Sequence, residues 1–419
     1  MRRPSARFVF FASEFWLSAA HTVSFTVAAV YFVQVIDMSP LQLVLVGTAM
    51  EVAVFVFEIP TGVVADTYGR KRSLLIGWLV MGLAMVGVAA SETFLPVLLA
   101  YALWGFGYTF TSGADQAWIT DEVGVAHVGR VFARGQQLGY AGGLIGIGAS
   151  VAVASWSLPG AIALGGLLSV AFAGFALVFM PETAFTRPAR ADERRGARVL
   201  VSGARTSVRF VRARPLLLLI LAITFFAGAS TESFDRLWEA HILLDVGLPG
   251  LGSLDPVVWF GIFGAVTMLL GLVGSEYLVR RFRRVGQKRL ARLLLIFTSA
   301  QMVTVVVFAL SGNFAVAVAA MWGYYLTRSL VGPVYDTWVN EQITDSSVRA
   351  TVISISGQAD AVGQVVGGPG LGAVGSVWSI RAALLAGAAV LAPALALYAR
   401  AVRHGGREPE LTELRGDAA

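Results

Sequence analysis

The sequence predicts an all-α integral membrane protein of twelve transmembrane helices, arranged as two pseudo-symmetric six-helix lobes. Three observations predict it. Of the 419 residues, 56% are hydrophobic and only 14% are charged, where soluble domains carry roughly 25% charged residues; the mean hydropathy is +0.72. Twelve stretches are long and apolar enough to cross a hydrocarbon core of ~30 Å, which takes ~20 residues of helix. The basic residues between those stretches fall almost entirely on one side of a twelve-span topology.

In chain order the spans read 8–35, 41–63, 73–91, 94–119, 131–154, 157–180, 215–244, 256–279, 290–311, 314–338, 349–375 and 377–400. The first is too long for the apolar core of a signal peptide and lacks a small-residue cleavage site, so it reads as a retained span. Arg2, Arg3 and Arg7 precede it, and Arg70, Lys71 and Arg72 lie between spans two and three. Arg130 and Arg134 fall in the expected loop between spans four and five, and nine arginines lie within 181–214. Seven basic residues run from Arg280 to Arg292, and Arg349, Arg400 and three later arginines complete the set. That places 29 of the 32 basic residues on one side, while the opposite loops hold Arg381 together with Asp37, Glu92, Asp245 and Asp255. An odd span count would scramble this segregation. Positive loops stay cytoplasmic, so both termini are expected in the cytoplasm, and the isoelectric point near 9.8 reflects orientation, not nucleic-acid binding. With no cysteine in the chain, disulfides and thiol chemistry are excluded.

The stretch 181–214 is the one long charged segment. It divides the chain into an N-terminal six-helix lobe (1–180), a basic cytoplasmic linker (181–214), suited to lying on anionic lipid, a C-terminal six-helix lobe (215–403) and a cytoplasmic tail (404–419). The halves resemble each other. Asp115-Gln-Ala-Trp118-Ile-Thr-Asp121-Glu122 ends span four, and Tyr335-Asp336-Thr-Trp338-Val-Asn-Glu341-Gln ends span ten. Span five carries Gly139, Gly142, Gly143 and Gly146; span eleven carries Gly363, Gly367, Gly368 and Gly372. Small residues at this spacing let helices approach closely, and a six-span repeat points to a ligand site near the midplane between the halves.

Between spans two and three stands Gly62-Val-Val-Ala-Asp66-Thr-Tyr-Gly69-Arg70-Lys71-Arg72, read as a tight turn with a helix-ending acid and a glycine-broken basic loop. This run resembles, nearly residue for residue, the hallmark loop of the major facilitator superfamily of secondary transporters. Phe57-Glu58-Ile59-Pro60-Thr61, the run from Thr231 to His241 and the run from Arg349 to Ala361 are similar to a bacterial branch known as tetracycline-resistance-protein-like, within the third family of drug:proton antiporters. The resemblance implies that Asp66 pairs with Arg70, that Asp121 or Glu122 completes the set, and that Gly62, Gly69 and Lys71 belong to a gate closing the cytoplasmic side when the protein faces outward. It also implies a bacterial inner-membrane location. Two signatures depart from the branch: Tyr101 stands where an arginine is common four residues before a glycine, here Gly105, and Ala141 precedes Gly142-Gly143 where a proline is usual.

Charged side chains inside a span cost roughly 3 kcal/mol or more and face a cavity or a partner. Glu51 and Asp360 lie about 15 Å into their spans, His21 and Arg328 lie mid-span, and Glu58 and Asp115 lie nearer the cytoplasmic end. On span seven, Glu232, Asp235, Arg236 and Glu239 share one face. Glu232 and Arg236 are spaced for an ion pair, which leaves Asp235 and Glu239 with less obvious compensation. A desolvated carboxylate can take up and release a proton near neutrality, so Asp235, Glu51 and Asp360 lead the candidates for proton coupling, followed by Glu58, Glu232 and Glu239. The competing reading pairs these acids with Arg236 and Arg328, so that they only hold the lobes together. For the substrate cavity the candidates are His21, Trp104, Tyr108, Asp115, Arg236, Arg328 and Asp336, with Trp104 and Tyr108 one turn apart and suited to stack on a planar ligand.

The sequence holds no phosphate-cradling loop, metal-ligand spacing or nucleophile elbow, so neither an enzyme nor a cofactor is expected. The expected partners are a small-molecule substrate, protons and membrane lipids, with the chain a monomer. The expected activity is export of an amphipathic molecule, tetracycline among the possibilities, in exchange for protons by alternating access. Uptake or lipid and metabolite movement on the same fold is the rival transport reading, and a transporter-like membrane sensor the rival of another class.

Overall fold

The computed structural model describes residues 4–185, 215–250, 256–281, 286–342 and 346–404. The linker beyond Phe185, the tail beyond His404 and the 251–255 connection lie outside the described residues. Twelve long helical passes run back and forth: α1 Ala6–Gln34, α2 Pro40–Tyr68, α3 Arg70–Ala89, α4 from Phe94–Thr109 continued by Ala114–Val123, α5 Val125–Ala154 and α6 Leu158–Phe179. The second half repeats the pattern with α7 Pro215–His241 and its terminal π-turn Ile242–Val246, α8 Pro256–Arg281, α9 Gln287–Leu310, α10 Phe314–Gln342, α11 Ser346–Val377 and α12 from Ile380–Val390 continued by Ala392–His404. Among the described residues, ten of these passes are long and apolar enough to cross a bilayer, and a shorter apolar stretch Pro256–Gly271 lies in α8. The protein is a multi-pass membrane protein.

The helix starts follow from local chemistry. Ser39 caps α2 with Gln42 returning the bond to the Ser39 amide, and Pro40 takes the first helical position, where no N–H is required. Ser157 and Ser379 cap α6 and α12 in the same way through their hydroxyls.

Two expected loops are shorter than the sequence suggested. The Gly62–Arg72 run is not a turn: α2 continues to Tyr68, α3 begins at Arg70, and only Gly69 separates them, at φ 106°. Glycine is required there by the positive φ, and a Cβ would also stand 3.0 Å from the Glu182 carboxylate. Gly124, at φ 82°, likewise separates α4 from α5, so Arg130 and Arg134 lie on the first turns of α5 and not in a loop. The apolar residues between these glycines and the membrane core continue the helical pattern, so one glycine suffices to reverse the chain. The end bearing Gly69 and Gly124 is called the basic end below.

In each half the same helices pack: α1 with α5 and α6, α3 with α4 and α6, α2 with α4, and correspondingly α7 with α11 and α12, α9 with α10 and α12, α8 with α10. The glycine rows set this packing. A Cβ on Gly142 would stand 2.8 Å from the Phe15 carbonyl carbon, and one on Gly367 2.8 Å from the Ala229 Cα, so each seats its helix on the first helix of its own lobe. Their neighbours face the other lobe: Gly143 meets Met268 at 2.8 Å, and Gly368 meets Thr48 Oγ1 at 2.8 Å. The lobes thus join along α2–α11 and α5–α8. Gly372 on Leu41 and Val44, Gly375 on Pro40, and the Leu41 amide bonded to Ser376 Oγ at 2.9 Å place the α2–α11 seam at the end opposite the basic end. Gly261 against Ile147 and Val151 places the α5–α8 seam at that end too.

Candidate functional site: an interlobe cavity and its charge network

Arg236 on α7 is the centre of the charged residues. Its Nη2 lies 3.7 Å from Glu51 Oε1 on α2, and its Nε lies 3.5 Å from Glu232 Oε2 one turn earlier. Its guanidinium fills the space beside Gly47, where a Cβ would overlap it. Glu51 and Arg236 therefore tie one lobe to the other, and Glu232, 1% exposed, sits behind them. The spacing of Glu232 and Arg236 foretold their pairing.

Asp235 departs from expectation. Both its oxygens accept from Arg328 Nη1 of α10, at 2.6 and 2.8 Å, so it is compensated, across a sequence separation that helix periodicity does not report. Glu239 remains. It has no hydrogen-bond or ion-pair partner among the described residues, and it lines a cavity of about 340 Å³.

That cavity lies between the lobes, in the half away from the basic end. His21, Thr22, Phe25 and Thr26 of α1 form one wall, Trp238 and Glu239 of α7 another; Phe260, Phe263, Thr267 and Met268 of α8 and Tyr325 of α10 complete it. Aromatic walls with a few polar groups make a small-molecule site, and here Glu239 and His21 stand beside the hydroxyls of Thr22, Thr26, Thr267 and Tyr325. Trp104 stands behind the α1 wall, edge-on to His21 at 5.8 Å and to Phe25 at 5.6 Å. Tyr108 stacks on Trp104 at 5.7 Å and is 41% exposed, so this pair stacks on itself. His21 Nε2 and Trp104 Nε1 are buried without a hydrogen-bond partner among the described residues. The α8 wall escaped the sequence reading because span eight carries no charge in its apolar core. Its signal was Phe260, Phe263 and Thr267 at i, i+3 and i+7 on one face.

The remaining candidates lie elsewhere. Glu58 on α2 accepts from Ser112 Oγ and, across the lobes, from Gln358 Nε2, both at 3.3 Å. Asp115 accepts from the Gln116 amide at the start of the second segment of α4. Asp360 accepts from Gln364 Nε2 at 2.7 Å; it and Asp336 line a separate cavity of about 330 Å³ within the C-terminal lobe. Neither Asp115 nor Asp336 is among the residues lining the interlobe cavity.

At the basic end, Arg70 pairs with Asp121 and donates to the Ala117 carbonyl at 2.9 Å. Asp66 is exposed and has no hydrogen-bond or ion-pair partner among the described residues, so the implied Asp66–Arg70 pair is not made in this conformation. Glu122 turns away from Arg70 and accepts from Thr183 and the Ala184 amide at the start of the linker. The Lys71 amide donates to Glu182 at 2.8 Å and its Nζ to the Met180 carbonyl at 2.7 Å. Around Gly62, no atom lies within 4 Å of a Cβ position. These motif residues bind α3, α4 and the linker start to one another within one lobe.

A family model described as Major Facilitator Superfamily matches residues 9–339. The chain is 23% identical over 363 residues to the "Uncharacterized MFS-type transporter YxaM" of Bacillus subtilis strain 168, covering 86% of this chain and 88% of that protein. Among solved structures it superposes on nucleoside transporter NupG with TM-score 0.76 at 13% identity, covering 96% of this chain and 100% of that one. It superposes on peptide transporter POT in complex with sulfate with TM-score 0.73 at 14% identity, covering 96% and 95%. The fold, the two-lobe packing and the family match together make this chain a member of the Major Facilitator Superfamily, a secondary transporter.

Proposed function

We propose that the protein exports an amphipathic small molecule across the bacterial inner membrane in exchange for protons, by alternating access. The observation that carries this reading is Glu239. Among the described residues it is the one carboxylate lining the interlobe cavity, and no cationic side chain among them pairs with it, whereas Asp235, Glu232 and Glu51 each have an arginine. A carboxylate in that position is neutralised either by a proton or by a polar or cationic part of the substrate, and competition between the two is exchange. The aromatic walls supply the apolar contacts that an amphipathic molecule needs. The seams at the end opposite the basic end, with Asp66 unpaired and Gly62 uncovered, suit a state open to the cytoplasm. In the alternate state the same basic-end residues would meet the C-terminal lobe, and Glu51–Arg236 would part. An ion pair retaining some solvent access is weak enough to break reversibly.

The test is compound-driven proton movement in everted membrane vesicles, with a drug panel that includes tetracycline. The expected result is proton efflux on adding a transported compound, lost in Glu239→Gln and Asp66→Asn, and impaired in Asp235→Asn through loss of the Arg328 tie. Undiminished efflux in Glu239→Gln overturns the role of Glu239. No proton movement with any compound overturns antiport and leaves uptake or lipid movement.

A further inference from the structure

The second cavity carries an inference independent of the transport reading. We propose that the C-terminal lobe binds a sodium ion at the junction of α7, α10 and α11, with Asp336 and Asp360 as charged ligands and Ser356 and Tyr335 as neutral ones.

The residues surround about 330 Å³ with Thr224 and Gly357 between them. From the helix bounds the site lies roughly 9–14 Å in from the basic end, at 1.5 Å per residue along α10 and α7. Two carboxylates meet there, and neither makes an ion pair among the described residues; the partner of Asp360 is the neutral Gln364 on its own helix. Acids alone do not make a site, but two hydroxyls point the same way. Ser356 is 6% exposed, and its Oγ has no hydrogen bond of good geometry among the described residues. The Tyr335 hydroxyl is buried beside Ser356 and Thr224, again without a hydrogen bond of good geometry. Buried hydroxyls are almost always well bonded, and two that are not, beside two acids without an ion-pair partner among the described residues, mark a place for a cation.

The donor set decides which cation. All four groups offer oxygen, with no imidazole or thiolate among them, which selects a hard ion over a transition metal. A calcium ion takes about 6–8 close oxygens, and magnesium a tight octahedron; two carboxylates and two hydroxyls fall short of the first, and ligands spread over two helices suit the second poorly. With a water occupying about 30 Å³, the cavity has room for an alkali ion that keeps part of its hydration shell. Sodium fits both conditions.

The experiment uses the purified full chain in nanodiscs, melted in sodium, potassium and choline chloride at equal ionic strength, with binding of radioactive sodium measured in parallel. The expected result is a higher melting midpoint in sodium than in choline, with saturable sodium binding. Half-saturation should rise about tenfold or more in Asp336→Asn and Asp360→Asn, a loss of about 1.4 kcal/mol per tenfold, and by a smaller factor in Ser356→Ala and Tyr335→Phe. The last two remove a single oxygen each, so they test the assignment even where the acid variants do not fold. A sodium effect equal to that of choline overturns the proposal. So does one unchanged in Tyr335→Phe and Ser356→Ala, or stabilisation by calcium at lower concentration than sodium. None of these outcomes depends on compound-driven proton movement, so the site and the antiport reading fail separately.

Discussion

Replacing Gly47 with alanine tests the charge network most sharply. A Cβ there would overlap Nε and Cζ of Arg236 and stand 2.8 Å from its Cδ, so the guanidinium has to leave its place beside α2. Two effects oppose each other. Alanine gains about 1 kcal/mol over glycine inside a helix. Against that, Glu232, 1% exposed, loses the guanidinium 3.5 Å away, and removing one partner of a buried pair costs about 3–5 kcal/mol. Glu51 adds less, because its side chain is 19% exposed and solvent screens it. The net is a destabilisation of about 2–4 kcal/mol; at about 2 °C per kcal/mol for a large domain, the melting midpoint falls by about 4–8 °C. The assay is thermal melting of purified wild type, Gly47→Ala, Arg236→Ala and the double variant. Once Arg236 is alanine there is no guanidinium to displace, and Gly47→Ala becomes neutral or stabilising. An unchanged midpoint in Gly47→Ala, or the same loss in both backgrounds, would refute this account of Arg236.

Gly62→Leu should leave melting within about 1 °C, since nothing lies within 4 Å of a Cβ there, yet reduce compound flux at least about tenfold by obstructing closure at the basic end; undiminished flux would show that Gly62 is not buried in any state of the cycle. Asp121→Asn removes an exposed partner of Arg70, with side chains 43% and 21% exposed, so stability should change by under about 1 kcal/mol while flux falls, read by melting and vesicle transport together; a large melting loss with normal flux would make the pair purely structural. Gly142→Val drives side-chain atoms into the Phe15 backbone, whereas Gly148→Val meets open space. The first should abolish a monodisperse peak on size exclusion and the second retain it.

The twelve passes were legible because lipid leaves the backbone no partner but itself, so each span must be a continuous apolar helix. The repeat was legible too: Trp118 and Trp338, matched by the repeated segments, are both buried, and the glycine rows of α5 and α11 do the same two jobs in the two lobes. Loop lengths were misread at Gly62–Arg72 and at Arg130 and Arg134, because charge marks the membrane edge and not the end of a helix, and helices here extend beyond the apolar core.

What the sequence could supply at the site were residue types and pairs one helical turn apart. Glu232 with Arg236 is such a pair, since the rise and twist of one helix fix their distance. Asp235 with Arg328, Glu51 with Arg236, and Asp336 with Asp360 join different helices, and their distances depend on how those helices pack. Only the tertiary structure decided that Asp235 is compensated while Glu239 is not, that Asp336 belongs to a cavity apart from the interlobe one, and that α8 supplies an aromatic wall. The physical reason is that a span's composition is set by lipid and its periodicity by the helix, but the partner of each buried charge is set by the angle and register at which two helices cross, and these arise from many small contacts that no single stretch of sequence records.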